Sequence, residues 1–148
     1  MDGGKGGCST SPAVSRSSVY LMLCDTTFLI HLAGQRRRGP RERAEAFLRA
    51  HLDAPLYTSR ICWSEFAEGC ATVAEVHAAL ERFTVVEISE SVAWEASRIS
   101  RGLERAGLPI GDNDVWVAAS ALTYRLPLVS RNGRHFARVP GLEVYNYH

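Results

Sequence analysis

Three carboxylates and one amide of this sequence stand where their oxygen atoms could hold a divalent cation. Asp25 directly follows a short apolar run, and Asn132 comes two residues after the run at residues 128–130. Glu65 lies within a mostly apolar helical stretch, and Asp114 directly precedes another. Polar residues that follow a strand of a parallel sheet lie at the edge where ligands bind. If the four side chains converge, the carboxylates repel one another unless a cation neutralises them. Oxygen-only ligands favour Mg²⁺ or Mn²⁺ over zinc.

Each of the four also has an ordinary structural interpretation. An aspartate at the position of Asp25 can cap the helix that follows it. Glu65 could face solvent on an otherwise apolar helix, because a carboxylate is rarely buried unless it is paired. Asn132 precedes a glycine, and Asn-Gly is a common turn pair. No single one of these positions shows whether its residue has a functional role or only a structural one.

A second acid, Asp112, lies two residues before Asp114, ahead of an apolar helix predicted over residues 115–122. Acidic residues are favoured in the first turn of a helix, so capping explains one of the pair without any function. Residues two apart on a helix point to different sides, so at most one can face a shared site. We assign Asp114 to the site, and Asp112 either assists a metal or caps the helix.

The elements that must position these residues alternate along the chain. Short apolar runs predict five strands, at residues 19–24, 56–58, 85–88, 128–130 and 142–145. Helical patterns lie between them, most clearly over residues 91–106, where apolar side chains share one face and Gly107 ends the helix. Strands separated by helices predict an α/β fold with a mostly parallel sheet of about five strands flanked by helices.

The composition predicts one domain and sets few limits on its partners. The chain has 148 residues, and 46% are hydrophobic, enough for a single core. Residues 1–18 are rich in Gly and Ser, which predicts a flexible tail before a domain over residues 19–148. Met22 is an alternative start of the natural chain. The net charge of +1 neither requires nor excludes nucleic acid.

Two further absences in the sequence bear on location. No apolar run is long enough to cross a membrane or to form a signal peptide. The four cysteines show no C-x-x-C pair and no zinc-ligand spacing, which is typical of reduced structural thiols. The sequence therefore predicts a cytoplasmic protein.

Four segments resemble, in the same order, the successive motifs of PIN-domain proteins. They are Leu-Cys-Asp-Thr-Thr-Phe-Leu-Ile at residues 23–30, Ser-Glu-Phe-Ala-Glu-Gly at 64–69, Ile-Gly-Asp-Asn-Asp-Val-Trp-Val-Ala-Ala at 110–119 and Leu-Val-Ser-Arg-Asn-Gly-Arg-His-Phe at 128–136. The likeness covers the chain from residue 19 onward. Among PIN-domain proteins, the chain most resembles the VapC toxins of bacterial toxin–antitoxin pairs. One such motif is weak evidence, whereas four in order are specific.

Carried over to this sequence, the resemblance implies a catalytic and metal-binding set that consists of Asp25, Glu65, Asp114 and Asn132. Family members often have Asp at the fourth place, so the neutral amide of Asn132 implies a weaker second metal position. Thr26 and Ser130 resemble the hydroxyl residues that support such a site. The implied reaction is Mg²⁺-dependent hydrolysis of RNA phosphodiester bonds, with Mn²⁺ able to substitute.

The resemblance also implies three partners: an RNA substrate, a cognate antitoxin and a second copy in a homodimer. A run that contains Arg36, Arg37 and Arg38 could contact RNA phosphates or an acidic partner, or it could be a solvated surface. Two alternatives stay open, an RNA-processing PIN nuclease outside toxin–antitoxin systems and a PIN-like module that binds RNA or protein without cutting. A small upstream reading frame with a DNA-binding motif would favour the toxin.

Overall fold

In the part of the chain that the structure describes, five parallel strands form one sheet. The computed structural model describes residues 21–34, 38–51 and 54–147, so the tail predicted at residues 1–18 lies outside the described residues. The strands are β1 (Met22–Cys24), β2 (Leu56–Ser59), β3 (Phe83–Val86), β4 (Leu128–Val129) and β5 (Val144–Tyr145). They lie in the order β3-β2-β1-β4-β5, and every neighbouring pair is parallel. The predicted α/β fold is confirmed.

Within the described ranges, seven helices flank this sheet. They are α1 (Thr26–Leu32), α2 (Arg38–Ala50), α3 (Arg60–Ala67), α4 (Val73–Ala79), α5 (Glu90–Ala106), α6 (Asp112–Thr123) and α7 (Gly133–Phe136). The helix predicted over residues 91–106 is α5, which Ser89 caps at its N-terminus and Gly107 ends with a φ of 69°. Its buried face carries the apolar residues that share one side of the pattern, Val92, Ala96, Ile99 and Leu103.

The strand order reverses at β1, and this reversal positions the candidate site. The chain adds β2 and β3 on one side of β1 and then places β4 and β5 on the other side. Leu23 pairs with Leu128 and Cys24 pairs with Val129, so β1 and β4 end at the same edge of the sheet. A crevice forms at such a reversal, outside the carboxyl ends of the strands. The residues that follow β1 and β4 therefore meet there.

Two short elements differ from the prediction. The third strand begins at Phe83 and ends at Val86, two residues earlier than expected, because Phe83 is buried and pairs with Leu56 while Ile88 is 41% exposed. The turn considered at Asn132 and Gly133 is the start of α7 instead. Helix α4 was not expected from the apolar pattern, since Val76 is its only buried residue in the described structure.

The buried core includes the three strands at the centre of the sheet. All three residues of β1 are buried, and Phe28, Phe66 and Phe136 are among the largest fully buried side chains. Cys24, Cys62 and Cys70 are free thiols, as expected, while Cys8 lies outside the described residues. Among the helices that the structure describes, none is both long enough and apolar enough to cross a membrane.

Candidate active site

Asp25 lies in the crevice between β1 and β4, and both of its carboxylate oxygens have partners. Oδ1 accepts a hydrogen bond from the backbone N–H of Phe28 at 3.0 Å, so Asp25 is the N-cap of α1. Oδ2 accepts one from the hydroxyl group of Ser130 at 2.5 Å. Only 7% of Asp25 is exposed. The capping role considered for Asp25 is present, but it engages only one carboxylate oxygen and leaves the other directed toward β4.

The hydroxyl group of Ser130 connects the ends of β1 and β4. While it donates to Asp25, it also accepts a hydrogen bond from the backbone N–H of Asn132 at 2.9 Å. Ser130 is fully buried, so these two contacts fix the direction of its hydroxyl group. The side chain therefore orients the carboxylate of Asp25 and the start of the loop that carries Asn132.

Glu65 reaches the same crevice from α3. It lies two residues before the end of that helix, which Ser59 caps by accepting a hydrogen bond from the N–H of Cys62. Glu65 is half-buried, and its Oε1 accepts a hydrogen bond from the hydroxyl group of Thr26 at 3.0 Å. Because Thr26 directly follows Asp25, this bond brings the carboxylate of Glu65 toward the end of β1. Glu65 does not simply face solvent.

Asp112 and Asp114 diverge from the first turn of α6. The N-cap residue of α6 is Gly111, which has no side chain to make a capping hydrogen bond. Neither carboxylate is therefore the N-cap of this helix. Asp114 is half-buried and its Oδ2 lies 3.8 Å from Nδ1 of His135. Asp112 is exposed and lines a groove of about 290 Å³ between α5 and α6, where Trp116 forms part of the wall. The structure thus separates Asp112 from the other acids.

Asn132 and His135 stand together at α7, beyond the end of β4. The Asn132 side chain makes no cap hydrogen bond to the helix, and its Nδ2 lies 2.9 Å from Nδ1 of His135. The same ring nitrogen approaches Asp114, so the side chain of His135 extends from α7 toward the first turn of α6. His135 is not among the candidate residues that the sequence singles out. The signal that could have found it is its spacing, since a residue three positions after Asn132 shares one face of a helix with it.

The electrostatics show that two other acids act on the carboxylate of Asp25. Burial raises the pKa of Asp25 from 3.8 to about 6, the hydrogen bonds from Ser130 and Phe28 oppose the rise, and the charges of Asp114 and Glu65 add to it. Burial also raises the pKa of Asp114, while His135 opposes that rise. The charges of Asp114 and Glu65 therefore reach the poorly solvated carboxylate of Asp25. In the absence of a cation, this part of the protein carries unfavourable charge.

The donor atoms in the crevice fit a hard divalent cation, although they do not enclose one. Among the described residues, no three His, Cys, Asp or Glu side chains lie close enough together to form a ready metal cage. Asp25, Glu65 and Asp114 nevertheless supply carboxylate oxygens, the ligands that Mg²⁺ and Mn²⁺ prefer. Such an ion would neutralise the negative charges of Asp114 and Glu65 that act on Asp25.

The arginine run that could contact RNA or a partner lies mostly outside the residues that the structure describes. Arg36 and Arg37 lie outside the described residues, as does the side chain of Arg38. Farther along α2, Arg41 forms an ion pair with Glu45, with 2.9 Å between Nε and Oε1. That pairing occupies one exposed charge of the helix.

The comparisons with known proteins agree with this architecture. The family model described as "PIN domain" matches residues 22–142. Ribonuclease VapC1 of Haemophilus influenzae strain R2866 is 26% identical over 132 residues, which cover 84% of this chain and 95% of that protein. Among solved structures, VapBC2 from Rickettsia felis bound to a promoter DNA fragment has a TM-score of 0.73 at 20% identity, covering 86% of this chain and 99% of that chain. VapBC-1 from nontypeable Haemophilus influenzae has a TM-score of 0.70 at 24% identity, with 86% and 98% covered.

The match to the family model extends over most of the chain, and the parallel sheet with its strand reversal is the fold of the similar structures. The chain belongs to the PIN-domain family. The motif resemblance seen in the sequence is thereby confirmed at the level of family and fold.

Proposed function

We propose that this chain is the toxin of a type II toxin–antitoxin system and an endoribonuclease that hydrolyses RNA phosphodiester bonds with a divalent cation, Mg²⁺ or Mn²⁺. The observation that supports it most is the approach of Asp25, Glu65 and Asp114 at the strand reversal of a PIN-domain chain. Similar proteins that align with nearly their whole length carry the name Ribonuclease VapC. The enzyme acts in the cytoplasm, where RNA and an antitoxin are made.

The chemistry assigns different tasks to the acids and to their neighbours. Asp25, Glu65 and Asp114 would hold the cation, with Asn132 beside them. An RNA phosphate is itself negative and would be repelled by three carboxylates, and a cation held by these residues would supply positive charge to the phosphate and to the attacking and leaving oxygens. Ser130 and Thr26 keep one oxygen each of Asp25 and Glu65 in place by hydrogen bonds. This preorganisation lowers the cost of assembling the site.

The partners follow from the same site. The similar solved structures are VapBC complexes, which supports a cognate antitoxin for this chain. A partner segment with a basic side chain would neutralise the crevice as a cation does, and would exclude RNA from it. We further propose that the toxin is a homodimer and that Arg36, Arg37 and Arg38 contact RNA phosphates or the antitoxin.

Expression of this chain alone in a bacterial host is expected to slow growth, and co-expression of its antitoxin is expected to restore it. The cause is RNA cleavage at the acidic crevice, so the Asp114→Asn variant, expressed to the same level, should leave growth unimpaired. Growth curves with parallel measurement of soluble protein test this. Normal growth with abundant, soluble wild-type protein that binds Mn²⁺ would argue against the toxin and leave the family assignment intact.

A further inference from the structure

The last residues that the structure describes, residues 145–147, run along the crevice, and we call them the clasp segment. Tyr145 ends β5, which pairs with β4 and lies two strands away from β1. To reach α1, which follows β1, the chain beyond Tyr145 has to pass the end of β4. Tyr147 does reach it, because a hydrogen bond of 3.0 Å joins its hydroxyl group to Nδ1 of His31 in α1. The clasp segment therefore spans the edge of the sheet at which the crevice lies.

Tyr147 is packed between α1 and α2. Only 2% of it is exposed, and its ring stands edge-on to Phe28 of α1, with 4.8 Å between the ring centroids. Phe47 of α2 makes edge contacts with both rings, at 5.8 Å from Phe28 and 6.4 Å from Tyr147. Such contacts favour one relative orientation of the rings, and the hydrogen bond to buried His31 fixes the hydroxyl end. Tyr147 thus restrains the position of α1.

The clasp segment also contacts both groups that hold the carboxylate of Asp25. The two donors to that carboxylate are the backbone N–H of Phe28 and the hydroxyl group of Ser130. The carbonyl oxygen of Tyr145 accepts a hydrogen bond from the backbone N–H of Ser130 at 3.0 Å. The ring of Tyr147 packs against the side chain of Phe28. One short segment therefore supports the donor on each side of Asp25.

Two further observations place the clasp segment close to the crevice. Asn146 lies against Gly133 at the start of α7, where an added Cβ would come within 2.9 Å of Oδ1 of Asn146. Burial raises the pKa of Tyr147, and the charge of Asp25 adds to that rise, so the hydroxyl group lies within electrostatic reach of the carboxylate. Its middle residue thus contacts α7, and its last residue lies near Asp25.

We propose that Tyr147 is a positioning residue of the active site, which fixes the first turn of α1, and with it the carboxylate of Asp25, by packing against Phe28 and bonding to His31. The inference rests on the proposed ribonuclease function. Tyr147 is buried and bonded to protein, so its contribution is to place another residue rather than to touch RNA. A catalytic group that is displaced by about 1 Å can cost about 100-fold in rate, which makes such placement measurable.

The first measurement is the cleavage of a single-stranded RNA by full-length variants at saturating Mg²⁺. Tyr147→Leu removes the ring and is expected to lower kcat by about 10- to 100-fold, with KM changed by less than about twofold. Tyr147→Phe keeps the ring and loses only the bond to His31, so its kcat should fall about fivefold, the size of one hydrogen bond. The matched control is Phe83→Leu, which removes another buried ring from β3 at the far edge of the sheet and should change kcat by less than about twofold.

The second measurement needs no activity and follows amide hydrogen exchange by NMR in the metal-free protein. The N–H of Phe28 is held by Asp25, so its exchange reports how often the first turn of α1 opens. We expect exchange at Phe28 to be faster by at least about tenfold in Tyr147→Leu, by about fivefold in Tyr147→Phe, and to be unchanged in Phe83→Leu.

The outcomes separate this inference from the function on which it rests. Equal losses of kcat in Tyr147→Leu and Phe83→Leu, a loss confined to KM, or unchanged exchange at Phe28 would overturn the role of Tyr147. Wild-type rate and exchange in Tyr147→Phe would also overturn it, which keeps the proposal testable if Tyr147→Leu does not fold. A wild-type protein that cleaves no RNA would overturn the proposed function, and exchange at Phe28 would still decide whether Tyr147 positions α1.

Discussion

Replacing Asp114 with asparagine is expected to lower the rate of RNA cleavage by about 100-fold or more. The substitution removes one negative charge from the crevice while the side chain keeps its size. The fold should persist, because Gly111 rather than Asp114 is the N-cap of α6 and the side chain is only half-buried. Asp25→Asn should have an effect of the same size, since asparagine caps α1 as well as aspartate does. Initial rates on a single-stranded RNA, measured with equal amounts of folded protein, test both.

The matched control is Asp112→Asn, which removes the same charge from the same helical turn. Asp112 is exposed and faces the groove between α5 and α6, so its loss is expected to change the rate by less than about threefold, as for a distant surface charge. Equal losses at Asp112 and Asp114 would show that the first turn of α6 presents a different face to the substrate. Full activity of Asp114→Asn would remove it from the metal site.

The metal-free protein is expected to become more stable when Asp25 is replaced with asparagine. Burial and the neighbouring acids hold the folded-state pKa of Asp25 at about 6, above its ordinary 3.8, so the ionised form is disfavoured in the folded protein. At neutral pH this rise corresponds to up to about 3 kcal/mol of lost stability. A gain of that order would raise the Tm of Asp25→Asn in EDTA by roughly 6–12 °C. Asp114→Asn should act in the same direction by a smaller amount.

The pH dependence has a defined sign. As the pH falls through about 6, the folded wild type takes up a proton on Asp25, whereas the unfolded chain does so only near 3.8. Wild-type stability therefore recovers between about pH 6 and pH 4 relative to the variant, and the advantage of Asp25→Asn shrinks. Added Mn²⁺ should stabilise the wild type more than the variant. Thermal unfolding at several pH values measures this, and a less stable metal-free variant at pH 7 would contradict the raised pKa of Asp25.

The part of the site that follows strands could be predicted from the sequence, because strand ends and their polar residues are local signals. Asp25 follows a fully buried strand, and Ser130 follows the strand that pairs with it. Parallel pairing then brings the two residues together whatever the rest of the chain does. The hydroxyl partners Thr26 and Ser130 came from the motif resemblance, and the structure shows which carboxylate each of them contacts.

Contacts between separate elements could not be predicted in this way. His135 approaches Asp114 only because α7 and the start of α6 lie side by side. The number of residues between the two positions does not predict that they are close in space. The short helix α7 was also missed, since four residues are too few to show a helical period. For Asp112 the sequence indicated only that it should diverge from Asp114. The groove that it lines depends on the small residues of α5.

The most direct test of a cation-dependent acidic site is RNA cleavage by the purified full-length chain in Mg²⁺, in EDTA, and in EDTA followed by excess Mn²⁺. Wild-type protein is expected to cut a single-stranded RNA in Mg²⁺, to stop in EDTA and to resume with Mn²⁺, while Asp25→Asn and Asp114→Asn stay inactive throughout. Undiminished cleavage in EDTA, or cleavage by either variant at the wild-type rate, would contradict the proposed mechanism.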